Sequence, residues 1–268
     1  MVEQDRVNGM SYHLADVRTS AEPVCTYGPS TLRFRSPKRS LRGVYLACVG
    51  GDETFGRFVD QPFPALLEAR LDRKCVNFGS LFCGLEALMQ DETLLNFVNQ
   101  AEVCVLQVPG LLGQSNRFYR VHPRRNDRVL APTHALTALY PEVDFTDVHF
   151  VGHLIAHLQS HADARFELFV SALRSTWLKN ISALLQRIAP PVILLWLRPN
   201  GEFAATVNLV KKDPVVDTAA IDDLRPYCAD IVELAVRASG DSDELEDLLF
   251  GTLQQPMAEH VIGPATHR

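Results

Sequence analysis

Apolar and polar positions fall into blocks along the chain, and the blocks change period. Residues 44–49 form a continuous apolar run closed by Gly50 and Gly51, the pattern of a strand buried on both faces. Residues 62–71 follow with Phe63, Leu66, Leu67 and Leu71 near helical spacing. Residues 75–78 predict a second strand, 81–89 and 92–98 two helices, and 103–108 a third strand closed by Pro109 and Gly110. Phe166, Phe169, Val170, Leu173, Trp177, Ile181, Leu184, Leu185 and Ile188 repeat at three and four, which predicts one long helix whose apolar stripe is core packing. Residues 192–197 read as a fourth strand, 219–227 as a short helix and 230–235 as a weak fifth strand. Terminal helices are expected at 241–249 and 256–267.

Strands alternating with helical crossovers predict an α/β fold, a three-layer α/β/α arrangement around a roughly five-stranded parallel sheet. Residues 1–42, with Pro23, Gly28, Pro29 and Pro37 and little apolar periodicity, are expected to be an N-terminal leader packing on the core. Residues 43–268 are expected to be one domain with a long insertion or lid at 111–165. Its first part, 111–145, is irregular and too long for a simple connection. Ligands of such sheets bind outside the carboxyl ends of the strands, so candidate residues are sought just after them.

Composition narrows the function classes. The 268 residues are 47% apolar and 22% charged, with a net charge of −6, which excludes a disordered chain and disfavours a bulk nucleic-acid binder. No apolar run approaches the roughly 18 residues that span a bilayer. The polar N-terminus has no apolar h-region, so no signal peptide is expected. None of the six cysteines forms a CxxC pair; they read as core thiols in a reducing compartment, and a cytoplasmic location is expected. No cofactor and no metal are expected. His149, His153, His157 and His161 recur at four, which fits an exposed polar helix face better than a zinc site.

Two stretches carry candidate chemistry. The first is Gly50-Gly51-Asp52-Glu53-Thr54-Phe55-Gly56, after the opening strand. Asp52 reads either as a catalytic carboxylate or as an acceptor for turn amides; Glu53 reads as an outward or capping residue and Thr54 as a local hydrogen-bonding one. The second is Ser115-Asn-Arg-Phe-Tyr-Arg-Val-His-Pro-Arg-Arg-Asn-Asp-Arg128, which sets five arginines within twelve residues beside Phe118 and Tyr119. Arginine forks suit carboxylate, sulfate or phosphate, and the aromatics could stack on a sugar or base. Arg117, Arg120, Arg124 and Arg125, with Gly51, Glu53 and Thr54, are therefore the candidate ligand-binding residues. The alternative is a lid pinned by Glu142, Asp144 and Asp147. The basic run from Arg33 to Arg42 is either a solvated loop or a patch for an acidic partner.

The first stretch resembles the opening block of the SGNH (GDSL-type) hydrolases, an apolar strand ending in Gly-Asp-Ser-x-Thr-x-Gly. Residues 63–71 resemble the helix after that block, Val76-Asn-Phe-Gly79 the second block, and Val105-Leu-Gln-Val-Pro-Gly110 the third strand. The resemblance covers residues 44–116 and points to a diverged, uncharacterised bacterial branch with a flavodoxin-like fold. It implies ester hydrolysis, with an oxyanion hole from the backbone amide at position 52, a second-block glycine (Gly79 or Gly84) and Asn116. It implies a base close to the C-terminus, where His267 is the candidate. Asp52, however, stands where the family has its nucleophilic serine, and Asp247-Leu-Leu-Phe250 is the nearest analogue of the family's Asp-x-x-His. Two functions follow: an esterase or acyl hydrolase with an atypical site, acting on an anionic or sugar-linked ester, or a pseudoenzyme that binds an anionic glycan, phosphate or sulfate. A small-molecule or glycan partner is expected, with no nucleic acid and no membrane; oligomerisation is left open.

Overall fold

The computed structural model describes residues 24–57, 59–161, 163–199 and 215–236. The expected terminal helices, His267 and residues 1–23 lie outside the described residues. The described chain opens with a hairpin, β1 (Val24–Cys25) and β2 (Phe34–Arg35). Then come β3 (Leu46–Gly50), α1 (Asp52–Phe55), α2 (Phe63–Leu71), β4 (Cys75–Gly79), α3 (Leu85–Gln90), α4 (Glu92–Val98) and β5 (Val103–Gln107). A second hairpin, β6 (Tyr119–Val121) and β7 (Val129–Pro132), leads to α5 (His134–Leu139), α6 (Val151–Gln159) and α7 (Asp163–Arg187). The described chain closes with β8 (Val192–Pro199), α8 (Thr218–Asp222), a 3-10 turn (Arg225–Tyr227) and β9 (Asp230–Val236).

The five long apolar runs pair as one parallel sheet in the order β4-β3-β5-β8-β9. Every residue of β3 is buried, because successive side chains enter opposite layers. Ala47 and Val49 join Val76, Phe78, Leu106, Leu194 and Trp196 under α3, α4, α7 and α8. Leu46 and Cys48 face the other way, with Cys75 and Val105, against Phe63 and Leu67 of α2. The fold is thus a three-layer α/β/α domain, as the alternation of runs requires. Strand order reverses between β3 and β5, so the connections leaving their carboxyl ends pass to α2 on one face and α7 on the other, the place at which such folds hold ligands.

Three expectations change. The N-terminal segment is part of the core as far as it is described: Tyr27, Leu32 and Phe34 are buried, and Tyr27, Phe34 and Phe78 form edge-on and tilted ring pairs 5.3–5.7 Å apart. Two-residue strands carry too few positions to show a period. The helix expected over 81–89 begins only at Leu85, because Phe82 takes a left-handed backbone (φ +60°) that a helix cannot include. The insertion is organised where it was read as irregular. Phe118, Tyr119, Val121, Leu136, Tyr140, Phe145 and α6 pack a second core on the first half of α7. Trp177, further along α7, donates its indole N–H to the Pro109 carbonyl at 2.9 Å, and Asn180 donates to Gln114 Oε1 at 2.9 Å. One helix therefore ties the insertion to the end of β5. Among the described residues no helix is long and apolar enough to cross a membrane.

Candidate functional site

Gly51 caps a single helical turn whose first residue is Asp52. The half-buried Asp52 carboxylate accepts the Phe82 amide at 2.9 Å through Oδ2. That contact joins the turn after β3 to the turn after β4. Phe82 is a non-glycine residue in the left-handed region, a conformation that costs about 1–3 kcal/mol and persists where its surroundings hold it. Here its amide is held by Asp52 and its carbonyl by the Asn126 amide at 3.0 Å.

The arginine-rich loop reaches the same place. The Arg125 guanidinium lies 3.8 Å from the Phe82 ring centroid, and that of Arg57 lies 5.9 Å from it. Arg125 also pairs with Asp127 through Nε (3.2 Å) and Nη2 (2.8 Å). The His122 ring accepts the Arg124 and Arg125 amides at 3.2 Å through Nδ1, which shapes the loop. Asn126 is buried: its Oδ1 accepts the Gly84 and Ala87 amides at 2.9 and 3.0 Å, and its Nδ2 donates to the His122 carbonyl. A side chain of the loop thus caps the first turn of α3, where amides lack helical partners.

The other arginines lack carboxylate partners among the described residues. Arg117 lies 5.1 Å from the Phe118 ring centroid, Arg120 donates to the Asn116 carbonyl at 3.2 Å, and Arg128 lies 5.4 Å from the Phe150 ring centroid. Arg124 is exposed. The pinned-lid alternative fails on the carboxylates named for it: among the described residues none of Glu142, Asp144 and Asp147 pairs with an arginine of the loop. Glu142 is held by Arg165, which also keeps its carboxyl down at about 2, and Asp144 closes on Thr146. Phe118 and Tyr119 do not face a ligand; they are buried against Phe169. Of the basic N-terminal run, Arg39 pairs with Glu68 at 2.7 Å and Lys38 lies over the Tyr27 ring.

The remaining turn residues differ from expectation. Glu53 is not outward: it is 6% exposed and accepts Gln107 Nε2 at 2.5 Å. Thr54 bonds across to β5, its amide and hydroxyl both donating to Gln107 Oε1 at 3.1 and 2.6 Å. Three of the oxyanion donors implied by the resemblance, Gly79, Gly84 and Asn116, are engaged in the fold. The Gly79 amide donates to Asn77 Oδ1 at 2.8 Å, and the Gly84 amide donates to Asn126. Asn116 donates to the Gln114 carbonyl at 3.1 Å and accepts the Phe118 and Tyr119 amides, closing its own turn. Gly79 and Gly84 are needed for close approach: a Cβ would come within 2.1 Å of the Phe55 nitrogen and 2.6 Å of the Gly113 oxygen, respectively.

Cys83, close enough to Asp52 to feel its charge, is not a ready nucleophile. Burial, then the Asp52 and Asp91 charges, push the Cys83 thiol far above its usual range, so it stays protonated and unreactive. Only His153 and His157 of the histidine row lie on α6, edge-on at 4.8 Å, while His149 precedes the helix and His161 follows it, and among the described residues no three His, Cys, Asp or Glu groups are arranged to hold a metal. Phe82, Asn126 and Gln107 were not singled out from the sequence. A polar Gln107 ending an apolar strand was the one local signal.

No curated protein matches the chain. A family model described as "Domain of unknown function (DUF6473)" matches residues 10–268, and by that near-complete match the chain belongs to the DUF6473 domain family.

Proposed function

We propose that this protein binds an anionic small molecule or glycan at the carboxyl ends of β3 and β4, on a hydrolase-like scaffold that does not carry out serine hydrolysis. The observation that carries the reading is the Arg125 guanidinium 3.8 Å over the Phe82 ring, with the Phe82 amide on Asp52. It sets the arginine loop against the turn after β3, beside the strand-order reversal. Arg124, next in the chain, is exposed and has no carboxylate partner among the described residues. Two arginines consecutive in sequence, on a turn ordered by His122 and Asn126, suit a phosphate, sulfate or carboxylate group. The six free cysteines go with a reducing, cytoplasmic setting.

Calorimetric titration with inorganic pyrophosphate at low ionic strength tests the reading. Binding is expected near 0.01 M salt and is expected to weaken steadily toward about 0.15 M, where charges more than roughly 8 Å apart are screened. Absence of binding at the lowest salt overturns it.

Retained ester hydrolysis is the second reading, favoured by the half-buried Asp52 carboxylate at the strand end. Acetyl and short acyl esters are its substrates. Turnover that disappears in Asp52→Asn supports it, whereas no turnover, or turnover that survives the change, contradicts it.

A further inference from the structure

We infer that Arg35, on β2, is a positioning residue for the anion site, because it gathers the backbone carbonyls on both sides of Arg57. The inference rests on the anion-binding reading and names a residue that shapes that site from behind. Arg35 Nη1 donates to the Phe55 carbonyl at 3.2 Å and to the Gly56 carbonyl; Nη2 donates to those of Val59 at 2.8 Å and Asp60 at 3.1 Å. The guanidinium also lies 5.8 Å from the Phe55 ring centroid. The Phe55 and Gly56 carbonyls stand at the end of the one-turn helix α1, which closes on Gly56 in the left-handed conformation (φ +71°), and those of Val59 and Asp60 belong to the chain just beyond it. Such an end leaves carbonyls without helical partners, and the planar five-donor fork of arginine can gather several at once. Arg57, whose guanidinium approaches Phe82, lies between the two pairs of carbonyls. A lysine ammonium has three donors at one point and cannot span them.

The hairpin that carries Arg35 has a second, separate anchor. Asp91 Oδ2 accepts the Ser30 hydroxyl at 2.7 Å and the Thr31 amide at 3.2 Å, while its Oδ1 caps α4 through the Leu94 amide at 2.8 Å. Loosening that anchor leaves the Arg35 bonds in place, which separates positioning from bulk stability.

Pyrophosphate titration at low salt is compared for the wild type, Arg35→Lys, Asp91→Ala, Arg57→Ala and the double change Arg35→Lys/Arg57→Ala. Arg35→Lys is expected to weaken binding about tenfold, the scale of one lost charged hydrogen bond. In the Arg57→Ala background the same change is expected to cost nothing further, the mark of two residues acting as one. Asp91→Ala is expected to lower the melting temperature and keep affinity within about twofold, because the Asp91 carboxylate bonds to Ser30, Thr31 and Leu94 and shares no partner with Arg35 or Arg57. Wild-type affinity in Arg35→Lys overturns the inference alone. So does an undiminished Arg35 effect without Arg57, or an equal loss in Asp91→Ala. A wild type that binds no pyrophosphate overturns the anion reading and this inference with it. Should Arg35→Lys not fold, amide exchange in the wild type decides: pyrophosphate is expected to slow exchange at Arg57 and Val59, and unchanged exchange there is the contrary result.

Discussion

Arg125→Ala is expected to lower pyrophosphate affinity at least tenfold, and Arg124→Ala by a similar factor. Each removes a charge-assisted hydrogen bond to the anion, of order 1.5–3 kcal/mol. Their effects on stability should differ. Arg124 is exposed and has no carboxylate partner among the described residues, so its loss should move the melting temperature by no more than about 1 °C. Arg125 stacks on Phe82 and pairs with Asp127, so Arg125→Ala should lower it by a few degrees, of order 1 kcal/mol. Calorimetry alongside thermal unfolding checks both variants. Unchanged affinity in both would remove the loop from the site.

The second large effect is on the scaffold. Gly79→Ala is expected to destabilise the protein by about 3 kcal/mol or more, roughly 6–12 °C in melting temperature for a domain of this size. The new methyl would lie 2.1 Å from the Phe55 nitrogen and 2.5 Å from the Thr54 carbonyl carbon. Both are backbone atoms of α1 and cannot swing aside as a side chain could. Since α1 carries Asp52, anion binding should fall with it. Thermal unfolding followed by circular dichroism measures the loss; a melting temperature within 1 °C of wild type would mean the turn does not pack as described.

The sheet was legible because strands of a parallel sheet are covered on both faces and read as unbroken apolar runs. The runs at 44–49, 75–78 and 103–108 became β3, β4 and β5 almost residue for residue, though Val44 is exposed and the first strand starts at Leu46. The N-terminal hairpin was illegible, since Tyr27 and Phe34 are isolated aromatics whose burial depends on Phe78, far away in sequence. The second core was hidden for a related reason. Phe118, Tyr140 and Phe145 come from short elements and loops, where apolar positions follow no single period.

At the site, position was readable and partnership was not. That Asp52 and the arginine loop follow strand ends could be inferred from the runs. That they meet through Phe82 could not, because a left-handed phenylalanine has no sequence signature. Asn116 shows the converse: by its place after the third strand it resembled an oxyanion donor, yet its carbonyl oxygen caps the amides two and three residues on, a local closure typical of asparagine. Arg35 looked like one charge in a basic run; only the folded hairpin sets it on the carbonyls around Arg57.

The most direct measurement is where an anion sits. Crystals soaked in selenate give an anomalous selenium peak that marks the position without reference to any assumed pose. The account predicts a peak within hydrogen-bond reach of the Arg124 or Arg125 guanidinium, beside Phe82 and Asp52. A well-occupied peak elsewhere on the molecule, with that position empty, would contradict it.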